Sequence, residues 1–134
     1  MKLNPYLTFD GNALEAMTTY ADILGGEITM SMRFGDMPNE AHWPGMNEDE
    51  MAHITVALPG GDALMASDGG GRAHQGFHGH NLQLAFQTAE EAQAKFAKLA
   101  EGGEVIMPCE PTFWAKAFGM CKDRYGVSWM VNCD

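Results

Sequence analysis

The chain has 134 residues, 46% of them hydrophobic, and a formal net charge of −10 at pH 7. That length is enough for one domain with its own hydrophobic core. The chain has 18 acidic and 8 basic residues and no cluster of Lys and Arg. We therefore expect it to bind neither nucleic acid nor anionic membranes. No apolar stretch reaches membrane-spanning length and residues 1–10 do not resemble a signal peptide, so we expect a soluble, cytoplasmic protein.

The first part of the chain predicts a strand, a helix and three more strands. Residues 3–9 alternate as a strand does, and Asn12 followed three positions later by Glu15 predicts a helix that starts with a capping box. The Gly25-Gly26 pair predicts where that helix ends. The further strands are predicted at residues 27–34, 51–58 and 63–67, the last two forming a hairpin.

Two segments fall outside these predicted elements. Residues 35–50 form an acidic loop, long for a compact domain, which is typical of a lid or an interface arm. Disorder is the alternative, and Trp43 argues against it because an aromatic side chain in a loop usually packs. Residues 69–79 are rich in glycine and histidine but precede no helix, so the glycines indicate a flexible connector and not a phosphate site.

The second part of the chain repeats the first. The pattern N-x-x-L-x-F of residues 4–9 returns at residues 81–86, an offset of 77 residues, and Gly25-Gly26-Glu27 returns as Gly102-Gly103-Glu104 at the same offset. Thr88 and Glu91 predict a second capping box. Strands are predicted at residues 104–110, 114–122 and 127–133.

A repeat of this length indicates two copies of one supersecondary unit. We predict a single domain built from module 1, about residues 1–68, a connector at residues 69–79, and module 2, about residues 80–134. The three cysteines, Cys109, Cys121 and Cys133, form no C-x-x-C pair. They predict reduced thiols in strands, with a metal cluster as the minor alternative.

These motifs, taken in order, resemble the PhnB-like branch of the vicinal oxygen chelate superfamily, which includes glyoxalase I, extradiol dioxygenases and bleomycin-binding proteins. The resemblance covers nearly the whole chain. It implies an α+β fold in which two βαβββ modules form a cupped mixed sheet around a ligand cavity, and it implies a homodimer. The most specific stretches are Thr112-Phe113-Trp114-Ala115 and Asp123-Arg124-Tyr125-Gly126-Val127-Ser128-Trp129.

The resemblance also implies a divalent metal, held by one side chain from the first strand and one from the last strand of each module. These positions map onto Asn4, Met65, Asn81 and Met130. Neutral amides supply no charge, and thioethers are poor ligands for hard or borderline dications. We therefore expect no superfamily metal and no other cofactor, with a metal bound elsewhere, for instance by His78 and His80, as the alternative.

Strand alternation and the resemblance together predict the side chains of a ligand pocket. An apolar lining with a few amides and hydroxyls is typical of a small-molecule site. Trp114 is placed at the pocket mouth, with core packing as the alternative. The predicted pocket residues are Tyr6, Thr8, Met65, Ser67, Asn81, Gln83, Trp114, Met130 and Asn132.

His53 is the candidate catalytic residue. It is the only histidine predicted inside a strand, with Thr55 two positions on, which favours a general base. A histidine held by hydrogen bonds for structural reasons is the alternative.

We expect a small-molecule-binding protein that lacks the superfamily metal site. The alternative is a small-metabolite enzyme of the glyoxalase type, an isomerase, lyase or transferase, using His53 or a metal bound elsewhere. Methyl transfer is disfavoured because no G-x-G-x-x-G follows a predicted strand.

Overall fold

The computed structural model describes residues 1–134 and divides into two compact units, unit 1 (Met1–Gln75) and unit 2 (Gly76–Asp134). Each unit contains one α-helix and one four-stranded mixed sheet, in the chain order strand, α-helix, strand, strand, strand. The predicted α+β class and the duplicated βαβββ order are confirmed. None of the helices is both long and apolar enough to span a bilayer.

In unit 1 the sheet order is β1-β4-β3-β2, with β1 parallel to β4 and the other neighbours antiparallel. The elements are β1 (Tyr6–Phe9), α1 (Ala13–Leu24), β2 (Glu27–Arg33), β3 (Met51–Ala57) and β4 (Ala63–Asp68). Alternate apolar side chains of β1, β3 and β4 are buried on the face that α1 covers. These are Leu7, Phe9, Ile54, Val56, Leu64 and Ala66.

Unit 2 repeats this topology with the sheet order β5-β8-β7-β6. Its elements are β5 (Leu82–Ala85), α2 (Ala89–Ala100), β6 (Glu104–Glu110), β7 (Ala117–Lys122) and β8 (Ser128–Cys133). A Cβ on Gly119 would lie 2.8 Å from Phe96 Cε2 and 2.8 Å from Cys109 Cα. The absence of a side chain at Gly119 therefore lets α2 pack closely on β7.

The two helices begin differently. Thr88 Oγ1 accepts a hydrogen bond from the Glu91 N–H at 3.2 Å, as predicted for α2. The predicted cap by Asn12 is wrong, because its side chain makes no capping hydrogen bond. Asp68, at the end of β4, accepts instead from the Ala13 N–H at 3.0 Å. A carboxylate suits this position because the helix N-terminus is positively polarised.

The acidic loop, residues 35–50, folds back on its own unit. The Asn47 N–H donates to the Gly70 carbonyl at 3.0 Å. The ring of Trp43 lies edge-on to Phe34, with 5.3 Å between centroids, and the Arg72 guanidinium lies 4.3 Å from the Trp43 ring centroid. The loop is therefore packed against the glycine segment that follows β4, and the disorder alternative is wrong. Its role as a lid or an interface arm stays a prediction.

Glu50, at the end of this loop, carries a carboxyl oxygen, Oε2, that is buried without a hydrogen-bond partner. Burial, followed by the negative charges of Asp68 and Asp10, raises the pKa of Glu50 above its ordinary 4.5. A carboxyl group whose pKa is higher in the folded than in the unfolded chain binds more protons when folded. Its ionisation therefore lowers the free energy of unfolding as the pH rises above 4.5.

We expect Glu50→Gln to raise the melting temperature at neutral pH, because the neutral amide avoids this charge repulsion and burial penalty. The gain should disappear below pH 4.5, where Glu50 is protonated in both states. Melting curves of the variant and the parent chain across this pH range test it. An equal or lower melting temperature for the variant at neutral pH would contradict the prediction.

Candidate functional site

The face of the unit 1 sheet turned away from α1 carries hydroxyls, methionines and one histidine. Tyr6 is level with Met65 on the neighbouring strand, Met65 with Thr55, and Thr55 with Met30, which gives one row of side chains across the sheet. Thr8 is level with Ser67, and His53 with Met32, in the adjacent row. The helix-free face of unit 1 consists of Tyr6, Thr8, Met30, Met32, His53, Thr55, Met65 and Ser67.

His53 joins two hydroxyl groups on this face. Tyr6 Oη lies 3.0 Å from His53 Nδ1, and His53 Nε2 lies 2.8 Å from Thr55 Oγ1. The ring centroids of Tyr6 and His53 are 5.5 Å apart and the rings are tilted by 38°. The three side chains therefore form a continuous chain of hydrogen bonds from β1, across β4, to β3.

Neutral imidazole has one N–H and one bare nitrogen, so this chain has two self-consistent proton arrangements. Either Tyr6 donates to Nδ1 while Nε2–H donates to Thr55, or Thr55 donates to Nε2 while Nδ1–H donates to Tyr6. Both ring nitrogens are occupied in either case. Tyr6 is 49% exposed, so its hydroxyl is the member of the chain that a bound molecule would meet.

The corresponding face of unit 2 also carries three methionines, here in a single row. Gln83 is level with Met130, Met130 with Met120, and Met120 with Met107. In the next row Ala85 is level with Asn132, Asn132 with Phe118, and Phe118 with Glu110. The helix-free face of unit 2 consists of these eight side chains. Met107, Met120 and Phe118 are not among the predicted pocket residues, most of which belong to the first and last strands of each module. Alternation along β7 is the sequence signal that places Phe118 and Met120 on this face.

The strand register places the four predicted metal positions at different levels within each unit. The Met65 N–H donates to the Pro5 carbonyl at 3.1 Å, which places Tyr6 beside Met65. Asn4 lies before β1. In unit 2 Gln83 stands beside Met130, whereas Asn81 precedes β5 and is exposed. The pairs that share a level are thus Tyr6 with Met65 and Gln83 with Met130, two residues further along each first strand.

Trp114 lies in the segment between β6 and β7, at the end of the helix-free face of unit 2. Its ring centroid is 5.4 Å from that of Phe118 and 4.8 Å from that of Phe113. Trp114 is 52% exposed and Phe113 is 97% exposed. Core packing is therefore wrong as an account of Trp114, and its role at a pocket mouth stays a prediction.

The connector histidines mostly bond to backbone carbonyls. His74 Nε2 lies 2.7 Å from the Thr8 carbonyl oxygen, and His80 Nδ1 lies 3.0 Å from that of His78. Nowhere are three or more His, Cys, Asp or Glu side chains grouped so that they could hold a metal ion. The second-site alternative at His78 and His80 therefore lacks a third ligand of these types.

The cysteines are free, as predicted, with Cys121 and Cys133 buried and Cys109 half-buried. Burial, followed by the charge of Asp123, raises the pKa of the Cys121 thiol to about 11. Burial also raises the pKa of Cys109. Both thiols are therefore protonated at neutral pH and are poor nucleophiles.

Two four-stranded mixed sheets, each with its helix and each built from one βαβββ module, define the vicinal oxygen chelate class. The glyoxylase/bleomycin resistance protein/dioxygenase domain from Frankia sp. EAN1pec shares this fold, with a TM-score of 0.72 over 99% of this chain and 96% of that chain. The two sequences are 15% identical, so the likeness shows the fold alone.

Within that class, the family model described as 3-demethylubiquinone-9 3-methyltransferase matches residues 1–132, and the chain belongs to this PhnB-like family. Protein PA1353 from Pseudomonas aeruginosa is 42% identical, with a TM-score of 0.89 over 100% of this chain and 98% of that chain. A Bacillus cereus PhnB protein, provisionally described as a 3-demethylubiquinone-9 3-methyltransferase, is 30% identical over the whole of both chains, with a TM-score of 0.83. The predicted PhnB-like membership is confirmed.

Proposed function

We propose that the protein binds a small, neutral, partly apolar molecule on the helix-free faces of its sheets, without the divalent metal of the superfamily. One observation carries the proposal. The positions that share a level on the first and last strands hold Tyr6 and Met65 in unit 1, and Gln83 and Met130 in unit 2.

Neither pair of side chains fits a dication. Such an ion is held by carboxylate oxygens and imidazole nitrogens, which supply charge or strong donors. A phenol, an amide and two thioethers are neutral groups, and thioether sulfur prefers soft monovalent metals. The same side chains are well suited to an organic molecule, because they combine an apolar surface with single hydrogen-bonding groups.

The composition of the faces indicates what kind of molecule would bind. Methionine is flexible and polarisable, and its sulfur makes favourable contacts with aromatic rings. Neither set of eight side chains includes a Lys or Arg that would pair with an anion, and Lys122 lies one row beyond Met120, level with Glu104. A neutral molecule with an apolar body and one or two oxygen atoms therefore matches these faces best.

The family description names methyl transfer, which we do not propose for this chain. A nucleotide-like methyl donor is commonly held by a glycine-rich turn between a strand and a helix. The two segments that join strand to helix here are Asp10-Gly11-Asn12 and Phe86-Gln87-Thr88, and neither contains that pattern.

A second candidate function is a small-metabolite enzyme of the isomerase, lyase or transferase type. The observation that favours it is the Tyr6–His53–Thr55 hydrogen-bond chain, because acid–base catalysis requires positioned groups of this kind. His53 remains the candidate proton acceptor, and it would receive the proton of a substrate through the Tyr6 hydroxyl.

We also propose a cytoplasmic homodimer. The resemblance to the superfamily supports a dimer, and the free cysteines fit a reducing compartment. Strand β6 lies at the edge of its sheet and leaves Val105 49% and Ile106 56% exposed. An unpaired strand edge with exposed apolar side chains is commonly covered by another chain.

Nitrobenzene, an apolar ring with a neutral oxygen-bearing group, tests the binding proposal. We expect it to raise the melting temperature of the parent chain equally with and without EDTA. Met65→Gln should weaken its binding about tenfold, because the face loses an apolar contact beside Tyr6. Met37→Gln, in the acidic loop, is the matched control and should bind normally. Absence of a shift, or loss of the shift with EDTA, would overturn the proposal.

A further inference from the structure

We propose that Tyr6, His53 and Thr55 form a proton relay that takes the hydroxyl proton of a small phenolic ligand bound on the helix-free face of unit 1. This inference rests on the proposed function, since it names the ligand class and the chemistry of that same face. It goes further by assigning a role to each of the three side chains.

Geometry determines the order of the relay. His53 lies between the two hydroxyl groups, with Tyr6 Oη 3.0 Å from Nδ1 and Thr55 Oγ1 2.8 Å from Nε2. Because both ring nitrogens already have partners, a ligand does not reach His53 directly. The phenolic oxygen of Tyr6 retains the capacity for a further hydrogen bond, and the residue is about half exposed.

The side chains around Tyr6 favour an aromatic ligand. Met65 stands directly beside Tyr6, and Met30 lies in the same row beyond Thr55. Thioether sulfur packs favourably against aromatic rings, so a flat ring fits over this row. A hydroxyl on that ring would then lie at the Tyr6 end of the row, where the hydrogen-bond chain begins.

The proton transfers balance without any other reactant. The ligand O–H bond breaks as its proton forms a bond with Tyr6 Oη. The former Tyr6 proton passes to His53 Nδ1 in the same step. The products are a phenolate and an imidazolium whose Nε2–H donates to Thr55. The reverse transfers restore the starting state, so the relay can also return a proton to the ligand.

Few other charged groups of unit 1 lie near this relay. Among the eight side chains of the face only Tyr6 and His53 are titratable, and Glu27, level with Ala57, lies one row beyond Thr55. From neighbouring segments, His74 reaches the Thr8 carbonyl at 2.7 Å. Arg33 follows Met32, which is level with His53, at the end of β2. None of the eight side chains of the face is a carboxylate that would compete with the ligand for the proton on His53.

The test uses 4-nitrophenol and the full chain, because the phenolate of this probe absorbs visible light. Bound to the parent chain, 4-nitrophenol should ionise at a lower pH than it does free in solution. His53→Gln should bind the probe within about threefold of the parent but lose this shift, because the amide can hydrogen-bond Tyr6 yet accepts no proton. His80→Gln, in the connector, is the matched control and should leave affinity and shift unchanged.

Two further variants test the roles of Tyr6 and Thr55 separately. Tyr6→Phe should lose the shift and bind about tenfold more weakly, because one hydrogen bond to the ligand is missing. Thr55→Val has the same shape as Thr55, so it should fold. It should reduce the shift without affecting affinity, because the Nε2–H of the imidazolium loses its acceptor.

The outcomes separate this inference from the proposed function. Nitrobenzene binding together with an unshifted 4-nitrophenol, or with a shift that survives in His53→Gln, would overturn the relay and leave the binding proposal standing. Absence of binding for both probes would overturn both. A shift present in the parent chain and the control but absent in His53→Gln supports the relay.

Discussion

Asp68→Ala should destabilise unit 1 by about 2–6 kcal/mol, because two buried N–H groups lose their acceptor at about 1–3 kcal/mol each, and a half-buried N–H group loses it as well. Oδ1 of Asp68 accepts from Gly11 at 2.9 Å and from Ala13 at 3.0 Å, and Oδ2 accepts from Met51 at 2.9 Å. This one carboxylate, 3% exposed, joins the β1–α1 turn, the start of α1 and the start of β3. Small domains are stable by only about 5–15 kcal/mol, so this loss is a large fraction of the total stability. Urea denaturation measures the loss.

Asp68→Asn keeps the shape of the side chain and changes only its hydrogen bonding. The amide oxygen can still accept from Gly11 and Ala13, but the amide N–H₂ then faces the Met51 N–H, and two donors repel. We expect a loss of about 1–3 kcal/mol, smaller than that of the Ala variant. Asp62→Ala, in the exposed β3–β4 turn, is the control and should change stability by less than about 0.5 kcal/mol. Parent-like unfolding of Asp68→Ala would show that other groups satisfy these donors.

The elements were predictable because duplication and side-chain periodicity gave independent signals. Residues 104–110 were predicted as a strand and form β6 (Glu104–Glu110). The Gly25-Gly26 pair marks the end of α1, where Gly25 adopts φ 69° as the left-handed C-cap. Each prediction depends on local geometry, which a short stretch of sequence encodes.

The register between neighbouring strands was not predictable in the same way. Alternation has a period of two, so Asn4 and Tyr6 belong to the same face and the pattern cannot distinguish them. Only the parallel partner strand decides that Tyr6, and not Asn4, stands beside Met65. The predicted position, Asn4, is on the same face as Tyr6 but two residues before it. The 77-residue repeat gives the same offset in unit 2, where Asn81 is predicted and Gln83 stands beside Met130.

Long-range polar contacts could not be predicted from the sequence either. The capping-box pattern at Asn12 is a local signal, whereas the acceptor that holds the helix start is Asp68, 55 residues from Ala13. His53 was recognised as a candidate, but its contact with Tyr6 spans 47 residues. Such pairs become visible only once the strands are in register, because nothing in either local sequence specifies the partner.

The second large effect is expected at Asp123, in the turn between β7 and β8. Its Oδ1 accepts from the Tyr125 N–H at 2.8 Å and the Val127 N–H at 3.0 Å, and its Oδ2 accepts from Trp129 Nε1–H at 2.8 Å. Asp123 and Trp129 are both buried. Asp123→Ala should therefore cost about 3–5 kcal/mol in the free energy of unfolding, measured by urea denaturation, since buried donors lose a charged acceptor.

A double-mutant cycle tests the cause of this effect. In Asp123→Asn the amide oxygen can keep the two backbone donors, but its N–H₂ then faces the indole N–H of Trp129. Trp129→Phe removes that N–H and leaves an aromatic ring, so the double variant should lose about 1 kcal/mol less than the sum of the two single losses. Strict additivity would mean that the indole hydrogen bond contributes little, and that the carboxylate acts through the backbone of residues 125–127 alone. A positive coupling would instead show that Asp123 stabilises the turn and the Trp129 side chain together. Asp123, at the start of the turn, would then also fix the position of the Trp129 ring at the start of β8.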